Sequence, residues 1–95
     1  MAAYVIAEIQ VTDPAGYEEY RRTVGASIEQ YGGKFLVRAG KVEVLEGDWQ
    51  PSRLVVIEFA SADRAKAWWS SEAYREPKAI RERTATTKLI VVEGV

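Results

Sequence analysis

The sequence predicts an α+β fold, one four-stranded antiparallel sheet with helices on one of its faces, and three observations predict it. Segments rich in β-branched residues alternate with amphipathic helical segments in the order β-α-β-β-α-β. Capping residues, glycines and prolines stand at the junctions between them. Within the strands one parity is almost purely apolar, as a sheet with one covered face requires.

Residues 4–11, YVIAEIQV, read as the first strand. Asp13 is placed to cap a helix and Pro14 suits its first position. Tyr17, Tyr20, Val24, Ile28 and Tyr31 then recur at helical spacing, and Gly32 and Gly33 end that helix. Residues 34–39 form a second strand, and 34–47 as a whole reads as a hairpin or as one bulged, bent strand. A loop at 48–52 leads to a strand at 53–59. Ser61 caps the helix ADRAKAWW, and Ser70 or Ser71 restarts a helical segment that reaches about Thr84. Pro77 predicts a break or kink near Glu76. The last strand is expected at 88–95, beside the first. Folded with right-handed crossovers, this order is the ferredoxin-like plait, a single domain over 1–95.

Parity assigns Val5, Ala7, Ile9, Val11, Val55, Ile57, Phe59, Ile90 and Val92 to the helix-covered face. The opposite face carries Ile6, Leu54, Val56, Leu89 and Val91 among glutamates. It is too apolar for water alone, and a second copy of the chain is the simplest cover. These five residues, with Trp49 from the polar loop, are therefore the expected homodimer interface.

Composition excludes several kinds of chemistry. The chain has no cysteine and no histidine. Thiolate nucleophiles, zinc–thiolate sites, Ser–His hydrolysis and imidazole-ligated haem or zinc are excluded with them. A net charge of −1 offers no basic field for nucleic acid or membrane surfaces. No apolar run approaches a membrane span, the N-terminus reads as a strand and not as a signal peptide, and the cytoplasm is the expected compartment. No metal and no cofactor is expected.

The candidate site centres on AKAWWSSEAYREPKAIR, residues 65–81. Adjacent helical residues point about 100° apart, so Trp68 and Trp69 cannot fill the same space. Ala65 shares a face with Trp68, which makes Trp68 the core anchor. Trp69 and Tyr74 are then expected to border a pocket with Arg38 or Arg81 at its polar end and Tyr17 and Tyr20 opposite. The plain structural reading makes all the aromatics core and pairs the arginines with strand glutamates. Glu8, Glu58 and Glu93 share a parity, and with their first two strands read as parallel neighbours they offer a shared-proton base or an oxygen cage for a hard cation. The alternative puts them at wet strand ends.

The combination of Gly32-Gly33-Lys34, Arg38, the run EGDW-x-P from Glu46 to Pro51, Phe59, Ala65 to Trp69, Ser71 to Tyr74, Arg81 and a terminal Glu93-Gly94 resembles domain-of-unknown-function family 1330. The match spans nearly the whole chain. Where that family often has Ser-Pro-Glu-Tyr, this chain has Ser71-Glu72-Ala73-Tyr74. The resemblance implies a dimeric α/β barrel, two stacked sheets with a pocket in each subunit between helices and sheet. It implies no reaction, although the wider superfamily includes cofactor-free oxygenases, muconolactone isomerase and haem-handling proteins. The function read from the chain is binding of a small aromatic or acidic ligand. The alternatives are a cofactor-free oxygenase or isomerase, and a dimer without ligand.

Overall fold

A computed structural model describes residues 1–95 throughout. The elements are β1 (Ala3–Val11), α1 (Pro14–Gln30), β2 (Lys34–Arg38), β3 (Leu54–Phe59), α2 (Ala62–Trp69), α3 (Glu72–Thr84) and β4 (Ala85–Glu93). The sheet order is β2-β3-β1-β4, with every neighbouring pair antiparallel. This is the expected plait, with its second helical segment split in two. No helix is long and apolar enough to cross a membrane.

Local chemistry accounts for the helix ends. The Gly16 amide donates to Asp13 Oδ1 at 3.2 Å, and Pro14 opens α1. Ser61 and Ser71 cap α2 and α3 in the same way, accepting from Arg64 N and Tyr74 N at 3.1 Å. Ser71 Oγ also donates to the Trp68 carbonyl at 2.7 Å, so one hydroxyl closes α2 and opens α3. The interruption therefore falls at the two serines. The break expected at Pro77 does not occur: α3 runs through it with the proline ring buried, although the missing N–H costs the helix one ladder bond.

Three strand expectations are corrected. Residues 42–47 are neither the second arm of a hairpin nor a bent strand, and 39–53 is irregular. Ala39 takes a positive φ of 60° at the end of β2 and its amide donates to the Leu54 carbonyl at 2.9 Å, so the chain leaves the sheet there and the outer edge of β2 stays unpaired. β4 begins at Ala85, and its parity is the reverse of that expected. Val5 faces Val91 and Ala7 faces Leu89, so Leu89 and Val91 lie on the helix side. Ile90 and Val92 occupy the open face instead, 58% and 44% exposed, beside Ile6 and Tyr4. The run Leu89–Val92 is apolar at every position, so periodicity could not orient it. Finally, β1 and β3 are antiparallel. Glu58 pairs opposite Tyr4 and Glu8 opposite Leu54, four register positions apart, roughly 13 Å at strand rise. Glu93 lies on the other face, and the three-carboxylate cluster does not exist.

The core lies between the helices and the odd-numbered strand residues. Trp68 is 1% exposed, with its ring centroid 4.1 Å from that of Tyr74 and 5.5 Å from that of Phe59. Its Nε1 donates to Ser27 Oγ at 3.0 Å, so the one polar atom of the indole is satisfied. Trp69 faces outward, under the Lys78 ammonium. Trp68→Ala is expected to cost about 3–5 kcal/mol in urea unfolding. Trp69→Ala is expected to cost about 0.5–1 kcal/mol, the scale of an exposed cation–π contact.

Candidate functional site

A β-bulge builds the first part of the site. In β2, Phe35 pairs with Ile57 and Arg38 pairs with Val55, with the register shift between Phe35 and Val37. The extra residue turns Arg38 onto the face that Phe35 occupies, toward the helices. Its guanidinium lies 4.3 Å from the Phe35 ring centroid, and Nη2 donates to the Arg21 carbonyl at 2.7 Å. The expected glutamate partner is absent: Glu58 pairs with Lys34 at 3.5 Å.

Arg53, just before β3, continues the odd parity of Val55 and Ile57 onto the same side. Its guanidinium lies 5.2 Å from the Tyr17 ring centroid. Arg53 was not among the residues singled out from the sequence. The signal was present, because counting back by two from Val55 puts an arginine on a face that is otherwise apolar.

Arg81 comes from α3 and is 6% exposed, yet it has no carboxylate partner. Its Nε donates to Tyr74 Oη at 3.2 Å, and Tyr74 Oη shares a hydrogen bond with Tyr20 Oη at 3.0 Å. Burial works against the Arg81 charge, but the Tyr74 oxygen, with Tyr20 and Glu82 nearby, holds its pKa above the ordinary value. Burial also raises the Tyr17 phenol, against the pull of Arg53, Arg21 and Arg81. Burial and the Tyr74 contact raise Tyr20 much further. At neutral pH Arg81 is therefore charged and the Tyr17 and Tyr20 phenols are protonated.

These side chains line one cavity beneath α1. Of its fifteen lining residues eleven are apolar or aromatic, and the remaining four are Arg21, Arg38, Arg53 and Arg81. No carboxylate lines it. The free space is about 20 Å³, room for roughly one water, and the partly or fully exposed side chains of Arg21, Arg38 and Arg53 must move for anything larger to enter.

The expected single pocket is thus divided. Tyr17, Arg38 and Arg81 meet at the cavity. Trp69 borders a separate groove between α2, α3 and β4, which Arg81 also lines. Tyr74 is fully buried and lines neither; it holds Arg81 in place. Trp49 is 60% exposed and donates to Glu8 Oε2 at 3.0 Å at the polar end of the open sheet face.

The family model described as "Domain of unknown function (DUF1330)" matches residues 2–95. No curated protein matches the sequence. The fold is similar to RPA0582, a protein of unknown function from Rhodopseudomonas palustris, at 18% identity and TM-score 0.78, covering 99% of this chain and 82% of that one. It is similar to SnoaB, a cofactor-independent oxygenase from Streptomyces nogalater, at 11% identity and TM-score 0.67, covering 99% and 93%. It is also similar to the de novo designed protein Foldit4, at 9% identity and TM-score 0.64, covering each chain completely. At these identities the likeness is one of fold, and a designed protein can share it without any natural activity.

The buried phenols set a pH limit on stability. Folded Tyr17 and Tyr20 keep their protons above the ordinary pKa of 10.0, while the unfolded chain releases them there. Stability is therefore unaffected by these groups below pH 10 and falls as the pH rises beyond it, by up to about 1.4 kcal/mol per pH unit for each phenol. Tyr20→Phe should make the fall in thermal midpoint above pH 10 shallower than in the parent.

Proposed function

The chain belongs to the DUF1330 family, whose name assigns no activity, and from the cavity itself we propose that it binds a small organic acid with an apolar or aromatic body. One observation carries this reading: the cavity is lined by four arginines and no carboxylate, and three of them, Arg38, Arg53 and Arg81, have no carboxylate partner, in a protein whose net charge is −1. Arginine only donates hydrogen bonds, and a buried guanidinium without an anion is costly. A carboxylate or enolate would accept from Arg81, Arg53 and Arg38 together, while Tyr17, Phe35 and Trp68 supply apolar walls.

We also propose a homodimer formed through the open sheet face. Its support is the uncovered apolar strip of Ile6, Leu54, Val56, Ile90 and Val92. The cofactor-free oxygenase or isomerase remains a second reading. SnoaB lends it an example on this fold, and donors that hold a carboxylate would also stabilise an enolate. Without a carboxylate or histidine in the cavity lining, the substrate would have to be acidic enough to ionise against the guanidiniums alone.

Calorimetric titration with aromatic acids such as 1-naphthoate should give saturable binding. Arg53→Gln and Arg38→Gln should each weaken it by roughly ten-fold or more, the scale of a charge-assisted hydrogen bond. Equal affinity for the corresponding neutral alcohol would remove the anion-binding reading. Oxygen uptake on adding a bound acid, with chelator present, would move the assignment to the oxygenase. For the dimer, sedimentation should show two chains at micromolar concentration and one in Ile90→Asp. A monomeric parent protein would overturn it.

A further inference from the structure

We propose that the groove between α2, α3 and β4 is a second ligand site, separate from the cavity beneath α1, and that it takes a flat aromatic monocarboxylate. Unlike the cavity it is already open, at about 430 Å³, within the usual range of small-molecule sites. Its apolar part is Val5, Ala65, Leu89 and Val91, and its flat surface is the Trp69 indole. Beyond the Lys78 ammonium on one face, that indole stays open, with Trp69 44% exposed. Lys78 Nζ lies 3.7 Å from the ring centroid and donates to the Trp69 carbonyl at 3.2 Å, a pair of contacts that holds the ring in one orientation. A flat, oriented, half-open aromatic surface suits a planar ligand.

The polar part of the groove selects the charge. Lys66, Arg81 and Thr87 offer donors, against Glu82 as the single acid. Arg81 uses only Nε on the protein, which leaves its terminal nitrogens for a ligand. Thr87 Oγ1 is the one buried side-chain oxygen or nitrogen in the molecule without a hydrogen-bond partner. Such an orphan calls for explanation, and since Thr87 lines the groove, a turn of its side chain would bring the hydroxyl to a carboxylate oxygen there. Two cations against one anion favour a monoanion.

Cavity and groove share Val5, Arg81 and Leu89 as a common wall. Since one guanidinium serves both, an acid in the cavity weakens an acid in the groove, and the reverse by the same factor. The coupling rests on the cavity reading; the groove site does not.

The three tryptophan indole N–H signals in a ¹H–¹⁵N spectrum separate the two sites, since Trp68 lines the cavity, Trp69 lines the groove and Trp49 lines neither. Trp49→Phe and Trp69→Phe assign them. Benzoate should shift the Trp69 signal saturably. Lys66→Gln with Thr87→Val should weaken that response at least ten-fold without weakening any Trp68 response to acids. Lys66→Gln alone, at an exposed position, gives the same direction if the double variant folds poorly. Arg53→Gln should spare the Trp69 response. A Trp69 signal that stays still in tens of millimolar benzoate overturns the proposal. So does one that follows protein concentration instead, which would mark a contact between copies. Parallel loss of both responses in both sets of variants would show one continuous site and overturns it as well. A silent Trp68 with a responsive Trp69 would instead remove the cavity reading and leave the groove site standing.

Discussion

The stack of Trp68 on Tyr74, and the hydroxyl that Tyr74 extends to Arg81, is the interaction on which the rest of the site depends. The two rings fix α2 against α3 across the break at Ser70–Ser71. The phenol then carries Arg81 into the core without a carboxylate, and Tyr20 completes the chain from α1. A glutamate in place of Tyr74 would neutralise Arg81 internally and leave nothing for a ligand to do. A phenol holds the guanidinium in position and leaves its charge available.

The rest of the cation array is built by backbone devices. The bulge in β2 turns Arg38 from the open face to the helix side, and the loop ending at Arg53 enters β3 in the parity that faces α1. Neither arginine has a carboxylate partner: one rests on Phe35 and donates to the Arg21 carbonyl, and the other rests on Tyr17. Stacking of this kind orients a guanidinium while leaving its edge donors free. Arg21 differs, because it bridges Glu18 at 2.9 Å on the surface and contributes chiefly the carbonyl that Arg38 binds. The cavity is thus positive by arrangement, in a chain that is close to neutral overall.

Splitting the second helical segment in two has a further consequence. One long helix would lie flush along the sheet. Two shorter ones meet at the Ser70–Ser71 break, and the groove lies between them and β4, lined by Trp69 and by Thr87, Leu89 and Val91. The open sheet face and the groove are therefore separate uncovered surfaces of different character. The first is an apolar strip on a sheet, of the kind a second copy covers. The second is a mixed depression with an orphan hydroxyl, of the kind a small molecule fills.

Much of this was legible in the sequence because it is local. Caps, glycines and helical spacing act within a few residues, so α1, the serine break, the odd-numbered core face of β1 and β3 and the burial of Trp68 could be read directly. Tyr17, Arg38 and Arg81 were singled out from the sequence as candidates, a cation beside an apolar face being costly unless partnered, and the structure brings the three to one cavity. What the tertiary structure alone decided is long-range. The orientation of β4 came from its hydrogen-bonded register with β1, since four consecutive apolar residues carry no periodicity. The separation of Glu8 from Glu58 came from strand direction. Arg38 joined Arg53 only through a bulge that shifts parity by one residue, and Tyr74 became a support for Arg81, not a pocket wall, because three-dimensional packing closed over it. Local propensity acts within a turn of chain; register, direction and closure are set by partners far away in sequence, and those partners decided where the charges meet.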